Sequence, residues 1–138
     1  MREPRYLEDG DDGFRVETPL RSGDVGRMGH VRSECFSTYC YEGYLAFFAA
    51  VGVDSRRLIL ARLECDHRGS TFVERGPLEQ AVRVERVGRS SIALAHVLRQ
   101  RGAVVAAART VHVAFDYARD ASRPLTAAER DALAGAPG

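Results

Sequence analysis

The sequence predicts an α+β fold in which one long helix is wrapped by an antiparallel sheet of about five strands. Three observations carry this reading. Gly23, Gly26 and Gly29 punctuate a turn that leads into a run from Glu34 to Val51 in which Phe36, Tyr39, Cys40, Tyr44, Phe47 and Phe48 cover most of a helix circumference, and a helix apolar nearly all round is enclosed by its own domain. Segments that alternate at period two then fill most of the chain up to Tyr117. Arg101-Gly102 joins the last two of these as a hairpin turn, which makes them antiparallel neighbours.

Length and composition bound the rest. The 138 residues suit one domain with a continuous core. A net charge of +1 leaves no basic footprint for nucleic acid and no acidic tail. No stretch reads as a secretory signal or a bilayer span, so the expected location is cytoplasmic. Cys35, Cys40 and Cys65 are odd in number and lack metal spacing, which reads as free thiols and no metal site. The chain has no Lys and no Asn, the compositional bias of a GC-rich bacterial genome.

In chain order, residues 1–13 are charged and aperiodic, expected as a flexible leader before a single domain over 14–138. Phe14 to Leu20 alternates as a first strand that Pro19 ends. Ser22 to His30 is a loop. Ser33 and Glu34 offer capping chemistry at the start of the helix and Gly52 a left-handed stop. At about 18 residues and about 1.5 Å each, the helix is about 27 Å long; Ser37, Thr38 and Glu42 argue against a bilayer span, so it reads as a core helix. Arg57 to Asp66 is the next strand. Thr71 to Val73 is short and β-prone. Gln80 to Arg89, Ser91 to Gln100 and Ala103 to Tyr117 follow as strands. Ala93, Ala95 and Val97 share one face of the second of these, and such small side chains are expected to lie beneath the helix. Ala118 to Arg123 is a loop, and Thr126 with Glu129 has capping-box spacing for a short terminal helix.

Gly23-Asp24, Gly29-His30-Val31, Tyr39 and Glu42 on the helix, the Val87-to-Ser91 turn and the long strand ending Ala114-Phe115-Asp116 together resemble the hotdog fold. The similarity is to the branch containing 4-hydroxybenzoyl-CoA thioesterase and related acyl-CoA and acyl-carrier-protein thioesterases, and it covers Arg15 to Leu133. The chain departs from that pattern at Gly26, where several members carry a carboxylate nucleophile or base, and at Arg32 and Ser33, where the pattern has two asparagines. Thioesterases of some polyketide pathways look like this branch and also lack that carboxylate, which brings secondary metabolism within the reading.

The resemblance implies an acyl thioesterase acting on an acyl-CoA or an acyl carrier protein. CoA or phosphopantetheine enters as part of the substrate, and no separate cofactor is implied. Hydrolysis needs a polarised carbonyl and an activated water. The amides after His30, those of Val31 and Arg32 at the helix start, are the expected oxyanion donors. Asp24, Glu42 and His30 are the candidates for activation. Asp24 could instead accept from amides of its own turn, Glu42 could form a buried pair with Arg62 or Arg109, and His30 could cap or pack. Tyr39 is a candidate acyl-pocket residue or core packing. Arg89, Ser90 and Ser91 are candidates for contact with the carrier's phosphate or pantetheine, or a solvated turn. His67, His96 and His112 have no metal spacing and receive no role. Hotdog domains pair into a continuous sheet, so a homodimer or homotetramer is expected, with Val111 to Phe115 or the neighbouring strand as the pairing edge. Two alternatives stay open: a protein that binds an acyl thioester or carrier protein without hydrolysis, and a dehydratase or hydratase using Asp24 and His30.

Overall fold

The computed structural model describes residues 13–136, so the expected leader falls almost wholly outside the described residues. The elements run β1 (Phe14–Thr18), α1 (Phe36–Val51), β2 (Leu58–His67), β3 (Leu78–Val87), β4 (Ser91–Gln100), β5 (Ala103–Asp116), β6 (Ala121–Ser122) and α2 (Ala127–Ala134). The sheet order is β1-β3-β4-β5-β2, every pair is antiparallel, and β6 adds a short pairing to β5. The predicted α+β architecture, a curled sheet around one long helix, is the one observed.

Each boundary has a local cause. Gly52 adopts φ 86 and donates its amide to Phe48 O at 3.0 Å, the left-handed stop expected of it. The helix start differs from expectation: Ser33–Cys35 form a 3₁₀ turn before α1, and no side chain caps either. Arg101 (φ 50) and Gly102 (φ 82) both take positive φ, as a two-residue turn matching strand twist requires. The capping box of α2 is complete, with Thr126 Oγ1 accepting from Glu129 N at 3.0 Å and Glu129 Oε1 from Thr126 N at 2.8 Å.

The concave face of the sheet carries the large residues. Phe47 and Phe48 of α1 pack with Val82, Ile92, Leu94 and Ala114. Phe36, Tyr39 and Cys40 pack with Leu78, Leu98, Ala106 and Ala108. This overturns the expectation that Ala93, Ala95 and Val97 lie beneath the helix. The opposite parity, Ile92, Leu94 and Leu98, faces it, and Ala95 packs against Ala107 on the other face. There the cross-strand neighbours of Ala95 are Arg83 and Arg109. Thr71 to Val73 forms no strand; it leads into a 3₁₀ turn, Val73–Arg75. β5 lies between β4 and β2, so Val111–Phe115 is no edge, and the outer strands of the sheet are β1 and β2.

One contact sets how closely the helix approaches the sheet. Gln80 Nε2 donates to Tyr39 O and to Thr18 Oγ1, each at 3.0 Å. A Cβ on Gly43 would lie 2.1 Å from Gln80 Oε1, so only glycine admits this amide onto the helix. Glycine in a helix interior costs about 1 kcal/mol relative to alanine; here that cost is offset by a satisfied buried amide.

Gly43→Ala is therefore expected to destabilise the fold by about 3 kcal/mol, through overpacking and lost hydrogen bonds, against the usual gain for this substitution in a helix. Urea unfolding checks the sign. A second prediction concerns acid. Hydrogen bonds from Arg123 at 2.8 and 3.0 Å lower Glu129 to about 2. Its contribution is present above the unfolded carboxylate range and fades as pH falls from about 4.5 towards about 2. Unfolding of Glu129→Gln, followed against pH, is expected to lose part of that acid dependence.

Candidate functional site

The glycine-rich loop closes on itself before the helix begins. Gly26 N donates to His30 O at 2.9 Å, Gly29 N to Gly26 O at 3.2 Å, and Val25 bridges Val31. Gly29, at φ 82, supplies the left-handed residue the turn needs. Two further bonds fasten the loop: Val31 N to Thr71 O at 2.7 Å and Arg32 N to Asp24 O at 2.9 Å. The segment after Thr71 is held by Gln100, which accepts from Phe72 N at 3.1 Å and donates to Phe72 O and Gly76 O at 2.7 and 2.8 Å.

Asp24 is thereby fixed beside the first turn of α1. Its Oδ2 accepts from Tyr39 Oη at 2.7 Å, and Oδ1 has no hydrogen-bond partner among the described residues. Tyr39 is fully buried. Burial first, and then the bond to Asp24, raises its phenol well above the usual range, so the hydroxyl stays protonated and donates. Tyr39 thus serves as core packing and as the support of a carboxylate.

Glu42 follows on the helix and pairs with Arg21, whose side chain is half exposed. This corrects the expected partners: Arg62 pairs with Glu64 at 3.1 Å and Arg109 with Glu85 at 2.6 Å. Arg21 also lies within electrostatic range of Asp24 and Tyr39. Sequence reasoning missed it. Its signal was a cation directly before Ser22-Gly23-Asp24, one arginine among many.

The expected oxyanion donors need revision. The amides of Val31 and Arg32 are already engaged by Thr71 O and Asp24 O. Those of Ser33 and Glu34 come next, open the helical segment, and have no acceptor among the described residues. They carry the partial positive charge of a helix start. His30 turns away, its Nδ1 lying 3.1 Å from Val31 O and its ring packing edge-on to Phe72. Asp24 and His30 form no pair.

Arg89, Ser90 and Ser91 are not brought to this cluster within one protomer. They follow the end of β3 that packs near Phe47 and Phe48, whereas Tyr39 packs at its beginning, Leu78. Their backbone is fastened to β5 and the α2 region: Ala114 N donates to Ser90 O at 2.8 Å, Leu125 N to Arg89 O at 2.9 Å, and Arg130 to Arg89 O at 3.2 Å. At Gly26 a Cβ would lie 2.9 Å from Arg32 Cγ, so the Arg32 stem occupies the direction a side chain there would take. No three His, Cys, Asp or Glu side chains converge as a metal site among the described residues, and no helix there is long and apolar enough to cross a membrane.

Solved structures share this architecture. A thioesterase from Thermus thermophilus, complexed with coenzyme A and zinc, matches with TM-score 0.81 and 24% identity over 90% of this chain and 93% of its own. A 1,4-dihydroxy-2-naphthoyl-CoA thioesterase from Synechocystis matches with TM-score 0.78 and 17% identity over 88% and 96%. A thioesterase-superfamily protein from Jannaschia matches with TM-score 0.84 and 16% identity over 99% and 98%. No curated protein sequence matches the chain. The profile of the thioesterase-like superfamily matches residues 20–133, which takes in the glycine-rich loop, α1 and the sheet from β2 to β6; the chain belongs to the thioesterase-like superfamily.

Proposed function

We propose that the protein hydrolyses an acyl thioester, with Asp24 activating water and the Ser33 and Glu34 amides polarising the thioester carbonyl. The observation that carries this is the state of the two carboxylates. Glu42 is engaged by Arg21, whereas Asp24 is oriented through one oxygen by a buried phenol and keeps the other free, beside unoccupied helix-start amides. Asp24 takes a proton from water as the oxygen attacks the carbonyl carbon. The oxyanion is stabilised at the amides, and the proton returns to the departing sulfur as the C–S bond breaks. The superfamily membership and the coenzyme A complex of the Thermus neighbour support acyl-CoA as the first substrate to try. An acyl carrier protein, and a role in secondary metabolism, stay within the proposal. Pairing of two copies along β2 would let Arg89, Ser90 and Ser91 of one chain serve the carrier of a site in the other.

One observation favours a second reading, binding without turnover. No carboxylate stands at Gly26, and the Arg32 stem fills its side-chain direction.

Thiol release from a panel of acyl-CoAs, followed with a disulfide reagent, separates the two. Asp24→Asn is expected to lower turnover by about 10²-fold or more, the scale of a lost general base, with the fold retained. Tyr39→Phe is expected to lower it less, and Glu42→Gln least. Saturable binding with no release by the wild type would establish the second reading, and a larger loss in Glu42→Gln than in Asp24→Asn would move the base to Glu42.

A further inference from the structure

The carboxylate of Asp24 stands where two separately anchored parts of the molecule meet. One is the helix. Gln80 Nε2 holds Tyr39 O at 3.0 Å, and Gln80 is backed by a buried chain through His96 to Thr110, with Oε1 to Nδ1 at 2.7 Å and Nε2 to Oγ1 at 2.8 Å. Tyr39 then reaches Asp24 Oδ2 through its hydroxyl. The other part is the glycine-rich loop, which carries the backbone of Asp24, and its anchor is Gln100.

Gln100 is the last residue of β4 and is 5% exposed. It pairs with Ala103 across the two-residue turn of Arg101 and Gly102, so its backbone is fixed by a short hairpin. Its amide carries an acceptor oxygen and two donor hydrogens, and each is used. Oε1 accepts from Phe72 N at 3.1 Å, while Nε2 donates to Phe72 O at 2.7 Å and to Gly76 O at 2.8 Å. Residues 71–76 belong to no strand. One side chain therefore answers both backbone groups of Phe72, as the opposite residue of an antiparallel pair would.

From Phe72 the path to the site is short. Thr71 is 1% exposed and its Oγ1 makes no hydrogen bond among the described residues, so it is held through its backbone, and its carbonyl accepts from Val31 N at 2.7 Å. Val31 bridges Val25, the residue after Asp24, and the next amide, Arg32 N, donates to Asp24 O at 2.9 Å. His30 of the same loop packs edge-on against the Phe72 ring. All of these contacts lie within one chain, and Gln100, Thr71 and Val31 are buried in it.

We infer that Gln100 is a positioning residue for the Asp24 carboxylate. By fixing Phe72 it fixes Thr71 O, and with it the loop position from which Asp24 meets Tyr39. Its role in turnover rests on Asp24 acting as the base of the proposed hydrolysis, whereas the fastening of the loop does not. A displacement of about 1 Å at a reacting group costs on the order of 10²-fold in rate, so a loosened loop loses turnover while the fold persists.

Gln100→Glu keeps the side-chain length and the bond from Phe72 N but loses both donors. Its kcat on an acyl-CoA is expected to fall by about tenfold or more with KM within about twofold of wild type. In an Asp24→Asn background the same substitution is expected to cost less than about twofold, because the carboxylate it positions is already gone. No loss in the first background, or an equal loss in both, would overturn the positioning role. The ¹³Cγ resonance of Asp24 and the ¹³Cζ resonance of Tyr39 report their hydrogen bond without turnover, and both are expected to shift in Gln100→Glu. Unchanged resonances would overturn the inference, whereas shifted resonances in a protein whose wild type releases no thiol would overturn hydrolysis alone. Amide exchange on the wild type decides the matter if the variant misfolds: Val31 and Phe72 are expected to open as one unit, with protection within about tenfold of each other. A Val31 amide that exchanges faster than that would show the loop is not fastened through Gln100.

Discussion

The structure depends on the approach of one amide to one helix. Gln80 reaches the backbone of α1 because residue 43 has no side chain, and there it satisfies a helix carbonyl, a hydroxyl of β1 and an imidazole of β4 together. An amide buried without these partners would cost on the order of 1–3 kcal/mol. With them it sets the separation and rotation of the helix over the sheet. Tyr39, whose carbonyl it holds, is the residue whose hydroxyl holds Asp24. The packing of the core and the position of the carboxylate are therefore joined through a single residue.

The site itself is mostly backbone. Two amides of the loop are consumed in fastening it, to Thr71 O and Asp24 O. That leaves Ser33 and Glu34 as the open donors, shifted by two residues from where the motif alone places them. The bonds from Val31 N and Arg32 N are the cause, and the 3₁₀ turn that opens at Ser33 supplies the next two amides. Charge is arranged with the same economy of parts. Arg21 pairs with Glu42, while Asp24 takes its hydrogen bond from Tyr39, so the two carboxylates have different partners.

The main architecture is legible in the sequence because its signals are local. Glycine at 52, the Arg101-Gly102 turn and the Thr126/Glu129 box each act within a few residues, and each forms as its sequence predicts. The helix itself is announced by the breadth of its apolar surface. What the sequence does not disclose depends on tertiary partners. The partner of Glu42 is a loop arginine 21 residues away, and nothing local distinguishes Arg21 from Arg62 or Arg109. The alanine face of β4 falls on the side away from the helix, against expectation, because parity shows that two faces exist and only packing shows which one the helix covers. His96 and His112 are scattered in sequence, and the register of β4 with β5 is what brings them to Thr110.

The same buried chain constrains how the molecule assembles. β4 and β5 meet through a two-residue turn, so their pairing closes a short loop and has little entropy to overcome. Gln80, by contrast, joins a threonine 62 positions away and a helix carbonyl 41 positions away. Those bonds require β1, α1 and β3 to be in place together. The hairpin is therefore the pairing with the least closure entropy to overcome, and the amide is satisfied only when β1, α1 and β3 are all in register; a chain docked out of register leaves that polar group unsatisfied in its core.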